Sequence, residues 1–91
     1  MVKLLTEAEV AEQLPEGWER DGDAIVRVYQ FDEYLQGMAF AVEVAEIADE
    51  EFHHPEITIG HDEVEVRLTS HEAGGITGRD LSMAEYFDEV R

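Results

Sequence analysis

Four histidines are the side chains of this 91-residue chain whose ordinary ionisation falls near neutral pH. Two are adjacent, in the stretch Asp49-Glu50-Glu51-Phe52-His53-His54-Pro55. The residue before a proline is pushed towards extended geometry, so a helix running into this stretch must turn there. His53 and His54 are therefore expected at a helix-to-strand corner, rings pointing apart, where a small domain can set polar groups beside a cleft. His71 follows an alternating stretch, on its polar side, away from the core. His61 lies in a Gly60-His61-Asp62 turn and reads as a solvated turn residue. If the fold joins the corner to the strand end, His53, His54 and His71 form an acid–base set. One imidazole can protonate a leaving oxygen while another accepts a proton. Neighbouring carboxylates would orient the rings and favour their protonated forms. Such a set suits elimination of water without a cofactor. The plainer alternative has His54 packed on Pro55 and the other rings in solvent.

Other chemistries find little support. A zinc site would need these histidines with Asp80 or Asp49 as oxygen ligand. Adjacent histidines diverge, however, and the chain has no His-x-x-x-His pair, so no metal is expected. It has no cysteine, which removes thiolate ligands, a cysteine nucleophile and a disulfide framework. No serine nucleophile elbow or phosphate-binding glycine loop occurs, and Gly74-Gly75 lacks the following lysine.

The elements that must position the histidines follow from pattern. Thr6-Glu7-Ala8-Glu9 has the form of a capping box, opening a helix to about Leu14 with Val10 and Leu14 on one face. Pro15-Glu16-Gly17 stops it. Strands are expected over 18–20 and 24–31, joined by an Asp21-Gly22-Asp23 turn. Asp32 is the expected N-cap of a long helix over 33–50. Leu35, Met38, Val42 and Ala45 lie on one stripe of it, widened by Phe40, Val44 and Ile47 into a broad buried face. Asp49, Glu50 and Glu51 crowd its C-terminal end, where the helix dipole disfavours negative charge. High salt must screen that cost, or one carboxylate is wanted beside the histidines. Strands over 57–59 and 63–70 follow, the second alternating with Val64, Val66 and Leu68 inward. Ala73-Gly74-Gly75-Ile76 is a loop. Thr77-Gly78-Arg79-Asp80 makes a second capping box for a final helix, with Leu81, Ala84 and Phe87 facing in. The order α-β-β-α-β-β-α predicts an α+β fold: one four-stranded antiparallel sheet with helices packed on one face. No linker divides residues 1–91, which read as a single domain.

Composition bounds the partners. Against 23 acidic residues stand 6 basic ones, a formal net charge of -17. Such a surface repels nucleic acid and anionic lipid, and repels itself unless counterions screen it. The charges are interleaved with apolar positions, so they belong to a folded protein suited to a very salty medium and not to a disordered tail. No run reaches the roughly 20 apolar residues needed to cross a membrane. Met1-Val2-Lys3-Leu4-Leu5-Thr6-Glu7 lacks a signal peptide's apolar region, which points to a soluble cytoplasmic protein. A chain this short buries only about two thirds of its unfolded surface, so a homo-oligomer is expected.

The stretch Asp49-x-x-x-His53-His54-Pro55-Glu56, then Thr69-Ser70-His71, then Gly74-Gly75-Ile76-Thr77-x-Arg79-Asp80, resembles the pterin-4a-carbinolamine dehydratases in residue type and spacing. The resemblance implies a saddle-like sheet, assembly into homodimers or homotetramers, and a small-molecule pterin as substrate. It implies dehydration of 4a-hydroxytetrahydropterin to the quinonoid dihydropterin, without metal or cofactor. It places His53, His54 and His71 in the catalytic set, with Asp80 as its aspartate. We read His54 and His71 as the acid–base pair, His53 as positioning the pterin or sharing proton transfer, and Asp80 as orienting His71. Asp49, Pro55, Glu56, Thr69 and Ser70 are the implied substrate contacts. Relatives often carry glutamate where this chain has Asp49, and aromatic residues where it has Ile57 and His61. Some animal members also act as a dimerisation cofactor for a transcription factor, so a non-enzymatic protein-binding module is the alternative of another class.

Overall fold

The computed structural model describes residues 3–91; Met1 and Val2, where the expected absence of a leader begins, lie outside it. Seven main elements follow in the expected order: α1 (Glu7–Gln13), β1 (Glu19–Asp21), β2 (Ala24–Gln30), α2 (Tyr34–Glu51), β3 (Glu56–Ile59), β4 (Glu63–Leu68) and α3 (Gly78–Glu89). A 3-10 turn, His71–Ala73, lies between β4 and α3.

The strands form one sheet in the order β1-β2-β4-β3, every neighbour antiparallel. Gly22, at φ 62, closes the β1–β2 hairpin, where a left-handed residue fits the twist of the strands. β2 pairs with β4 from Ile25↔Leu68 to Gln30↔Glu63. Alternation then sorts the side chains. Ile25, Tyr29, Val64, Val66 and Leu68 are buried against the helices, while Val28, Glu65 and Arg67 face the other side. Val10, Phe40, Val44, Leu81, Ala84 and Phe87 complete the core from the helices.

Both expected capping boxes are present. Thr6 Oγ1 accepts from Glu9 N at 3.1 Å while Glu9 Oε1 accepts from Thr6 N at 2.9 Å. Asp80 Oδ2 accepts from Thr77 N at 2.9 Å, opening α3. α2 differs at its start. Its N-cap is Glu33 and not Asp32, and the Glu33 N–H is taken by Gln36 Oε1 at 3.2 Å.

α2 buries only the Phe40 and Val44 side of the broad face expected of it. Gly37, Phe40, Ala41, Val44 and Ala48 are the buried residues, whereas Leu35 is 75% exposed and Val42 57%. Apolar residues occupy both sides of this helix, so periodicity alone does not choose between them. Gly37 does: a Cβ there would lie 3.1 Å from Val64 Cγ2, so the helix approaches the sheet where its side chain is missing.

The end of α3 is tied to the sheet by a charged hub. Asp88 Oδ1 accepts from Trp18 Nε1 and Arg27 Nη1, each at 3.1 Å, and from the Tyr29 hydroxyl at 2.5 Å. A carboxylate near a helix C-terminus is disfavoured by the dipole, and these donors offset that cost. Burial, and then the Asp88 carboxylate, push the Tyr29 hydroxyl well above the usual tyrosine range. Beyond the core, no helix among the described residues is long and apolar enough to cross a membrane.

Candidate active site

The corner after α2 is made by Phe52, which caps the helix at φ 54, ψ 41. This left-handed conformation is uncommon for a residue other than glycine, and costly for a bulky one. Its effect is to reverse the chain so that His53 turns inward and His54 outward, as the adjacent pair led us to expect. His53 is 6% exposed; the His54 side chain is 62% exposed.

His53 Nε2 donates to Asp80 Oδ1 at 2.5 Å. Asp80 is fully buried, and its second oxygen accepts from the Ser70 hydroxyl and the Thr77 N–H, each at 2.9 Å. Ser70 has one hydroxyl proton, which it gives to Asp80, so it accepts from Thr77 Oγ1 at 2.9 Å. Thr77 Oγ1 in turn accepts from Arg79 N at 3.2 Å. No buried side-chain polar atom among the described residues lacks a partner. A buried network this complete fixes geometry, because each group has one satisfactory arrangement.

Two expectations are corrected here. Asp80 orients His53 and not His71, because α3 begins directly beneath the α2–β3 corner and aims its third residue there. Ser70, expected to touch substrate, is sealed at 0% exposure behind Asp80. The strand expected to run to residue 70 ends at Leu68, and a single bridge between Ser70 and Gly75 folds the chain back. That fold turns Ser70 into the interior.

The outer site lies on the sheet face away from the helices. His54, Glu56, Arg67, Thr69 and His71 line one hollow of about 90 Å³. β3 and β4 bring them together, since Glu56 pairs with Arg67 across the ladder. His54 Nε2 donates to Asp49 Oδ1 at 2.8 Å, so one carboxylate of the acidic α2 terminus is placed beside a histidine. His71 heads the 3-10 turn and is exposed. A second hollow of about 270 Å³ shares Arg67, Thr69 and His71 and extends over Asp23, Ala24, Gly74 and Gly75. Pro55 is half-buried at the corner, and His61 is exposed in the β3–β4 turn. No group of three or more His, Asp or Glu residues among those described could hold a metal ion.

Arg79 was given no role by the sequence reasoning. Its Nη2 donates to Glu51 O and Phe52 O, both at 3.1 Å, and its Nη1 lies 3.7 Å from Glu72 Oε1. The guanidinium thus closes the C-terminus of α2 and links it to the turn that carries His71. The acidic crowd at that helix end was the available signal, because it calls for a cation.

The arrangement offers two exposed imidazoles in one hollow, one held by a carboxylate, and a third imidazole locked behind them. The chain matches the family model described as pterin 4 alpha carbinolamine dehydratase over residues 3–90. A protein from Natronomonas pharaonis is 57% identical over 90 residues, covering 99% of this chain and 98% of its own. One from the halophile Halobacterium salinarum is 56% identical over 91 residues, covering all of both chains. Both are named as pterin-4-alpha-carbinolamine dehydratases whose activity the names themselves leave open. Among solved structures, one described as a transcriptional coactivator/pterin dehydratase from Brucella melitensis superposes with a TM-score of 0.87. It is 31% identical over 94% of this chain and 96% of its own. A pterin dehydratase-like protein described as a RuBisCO assembly factor superposes at 0.66 with 22% identity, over 80% of this chain and 84% of its own, a likeness of fold alone. The chain belongs to the pterin 4 alpha carbinolamine dehydratase family.

Proposed function

We propose that this protein removes water from a 4a-hydroxytetrahydropterin to give the quinonoid dihydropterin, with His54 and His71 as the proton-transfer pair. The observation that carries the reading is their shared hollow, with His53 withdrawn from it by Asp80. In the reaction the C4a–O bond breaks as the N5 lone pair forms a C4a=N5 bond. The oxygen leaves as water after taking one proton, and N5 gives up another. Donation of His54 Nε2–H to Asp49 leaves Nδ1 as the ring nitrogen with a free lone pair, which suits the base. His71 has no side-chain partner among the described residues and serves as the acid that protonates the leaving oxygen. His53 and Asp80 hold the corner. Solvent returns the proton from one imidazole to the other between turnovers.

The same reading includes a cytoplasmic homodimer or homotetramer. The exposed stripe of Leu35, Val42 and Ala45 supports assembly, since an apolar helix face in water favours a partner. That stripe also gives some support to the other class, a protein-binding module of the same fold. Stopped-flow absorbance separates the two. Freshly made 4a-hydroxytetrahydropterin is mixed with the protein in high salt with chelator present. The expected result is decay well above the uncatalysed rate, unchanged by chelator. Decay at the background rate, with the fold intact, would leave the binding module standing.

A further inference from the structure

His54 and His71 stand on separate segments, and the sheet stops short of both. The last ladder pair joining β3 to β4 on their side is Glu56↔Arg67. His54 precedes β3, and His71 follows the end of β4 at Leu68. The 3-10 turn His71–Ala73 is folded on its own backbone: Ser70 O accepts from Ala73 N, Gly74 N and Gly75 N at 3.1, 3.0 and 3.2 Å. Of the side chains of that turn, Glu72 alone has a polar partner among the described residues, and that partner is Arg79. Two adjacent residues at the start of α3 reach both segments. From inside, Asp80 takes His53 Nε2 and the Ser70 hydroxyl. From outside, Arg79 Nη2 donates to Glu51 O and Phe52 O, while Nη1 faces Glu72.

The two ties differ in what their loss costs. Asp80 is fully buried, so cutting its bonds strands a charge in the interior. The side chains of Arg79 and Glu72 are 37% and 62% exposed, and an exposed pair adds little to stability. Proton transfer is more demanding than folding, because a displacement of about 1 Å can lower a rate by about 10²-fold. Building on the dehydratase reading above, we propose that Arg79 is a positioning residue that fixes the spacing of His54 and His71 by tying the α2–β3 corner to the His71 turn. A guanidinium suits this task, since its planar fork donates in more than one direction at once. A lysine ammonium is a point charge on a flexible stem and holds only one side. At 3.7 Å no water layer fits between Arg79 and Glu72, so salt weakens this pair less than it weakens distant charges.

The test measures kcat, KM and melting temperature in high salt for Arg79→Gln, Arg79→Lys, Glu72→Gln and the double variant Arg79→Gln/Glu72→Gln. Arg79→Gln should lower kcat about 10- to 100-fold, with KM within about twofold of the unsubstituted protein. Arg79→Lys should fall between the two, because it keeps the charge without the fork. Glu72→Gln, an exposed change that the fold should survive, should lower kcat by about threefold. The double variant should match Arg79→Gln to within about twofold, since the same tie is already cut. A residue that merely closed the end of α2 would lower the melting temperature and leave kcat unchanged. Hydrogen exchange reads the tie without turnover: the Ala73, Gly74 and Gly75 amides should exchange about two- to fivefold faster in Glu72→Gln. A kcat within about twofold in Arg79→Gln on an active protein, losses that multiply in the double variant, or unchanged exchange in Glu72→Gln would overturn the assignment. Each of these results would leave the dehydratase reading intact. Absence of turnover in the unsubstituted protein would instead remove that reading, and the exchange comparison would still decide the tie.

Discussion

At His53 one ring nitrogen is spent before any substrate arrives, because Nε2 is donated to a fully buried aspartate. At His54 the corresponding nitrogen meets an exposed carboxylate on the surface. The same residue type, at consecutive positions, is thereby divided between a buried network and an exposed hollow. Truncating His53 would leave Asp80 Oδ1 buried without its donor, and breaking a buried pair of this kind costs about 3–5 kcal/mol. Tyr29 is a second residue whose environment sets its chemistry. Its raised ionisation, caused first by burial and then by Asp88, leaves the folded state unaffected below the ordinary tyrosine value of 10.0. Above that pH the unfolded chain loses a proton that the folded chain keeps, so stability falls as the pH rises further. Urea midpoints should be flat with respect to this group through neutrality and decline above about pH 10. In Tyr29→Phe that part of the alkaline decline should vanish. A decline of equal size in the variant would remove Tyr29 as its source.

The corner between α2 and β3 is the element on which the site turns. Phe52 stands there in a left-handed conformation with 83% of its surface exposed, so its ring repays little of the strain. Asparagine tolerates this conformation better. Phe52→Asn is expected to raise stability by about 1 kcal/mol, read from the chemical denaturation midpoint. A loss of stability would mean that the ring makes a contact which the isolated chain does not reveal. The corner's existence was legible in His-His-Pro, and the caps of α1 and α3 in their Thr-x-x-acid spacing. The partner of Asp80 was not legible, because it depends on which corner α3 starts beneath. Nor was the limit of the buried face of α2: periodicity puts Phe40 and Val44 on it, but puts Leu35 and Val42, equally apolar, there too. Only the close approach at Gly37 distinguishes the two sides. The Asp88 hub escaped for a similar reason: Trp18, Arg27 and Tyr29 are scattered in sequence and meet only after the sheet and α3 pack. The resemblance, by contrast, indicated the correct family from residues 49–80 before any packing was known.

On the scale of the whole molecule, the net charge of -17 sets the conditions under which all of this holds. All six cations are engaged: Lys3, Arg20, Arg27, Arg67 and Arg79 lie beside carboxylates, and Arg91 lies against the Gln30 carbonyl and the Phe31 ring. The remaining carboxylates repel one another over distances that added salt shortens. The melting temperature should therefore be clearly higher in ~3 M than in ~0.1 M potassium chloride. Equal values would remove the link between charge and a salty medium. Activity assays belong at the higher salt, where loss of rate cannot be confused with loss of fold.

The central claim is the division of labour among the three histidines, and one comparison tests it most directly. Dehydration rate and melting temperature are measured together, in high salt, for His53→Ala, His54→Ala, His71→Ala and the control His61→Ala. His54→Ala and His71→Ala should each lose about 10²–10⁴-fold in rate while melting near the unsubstituted protein. His53→Ala should melt at a markedly lower temperature, and His61→Ala should change neither quantity. Rates for His54→Ala and His71→Ala that stay within about twofold of the unsubstituted protein, on an intact fold, would contradict the account.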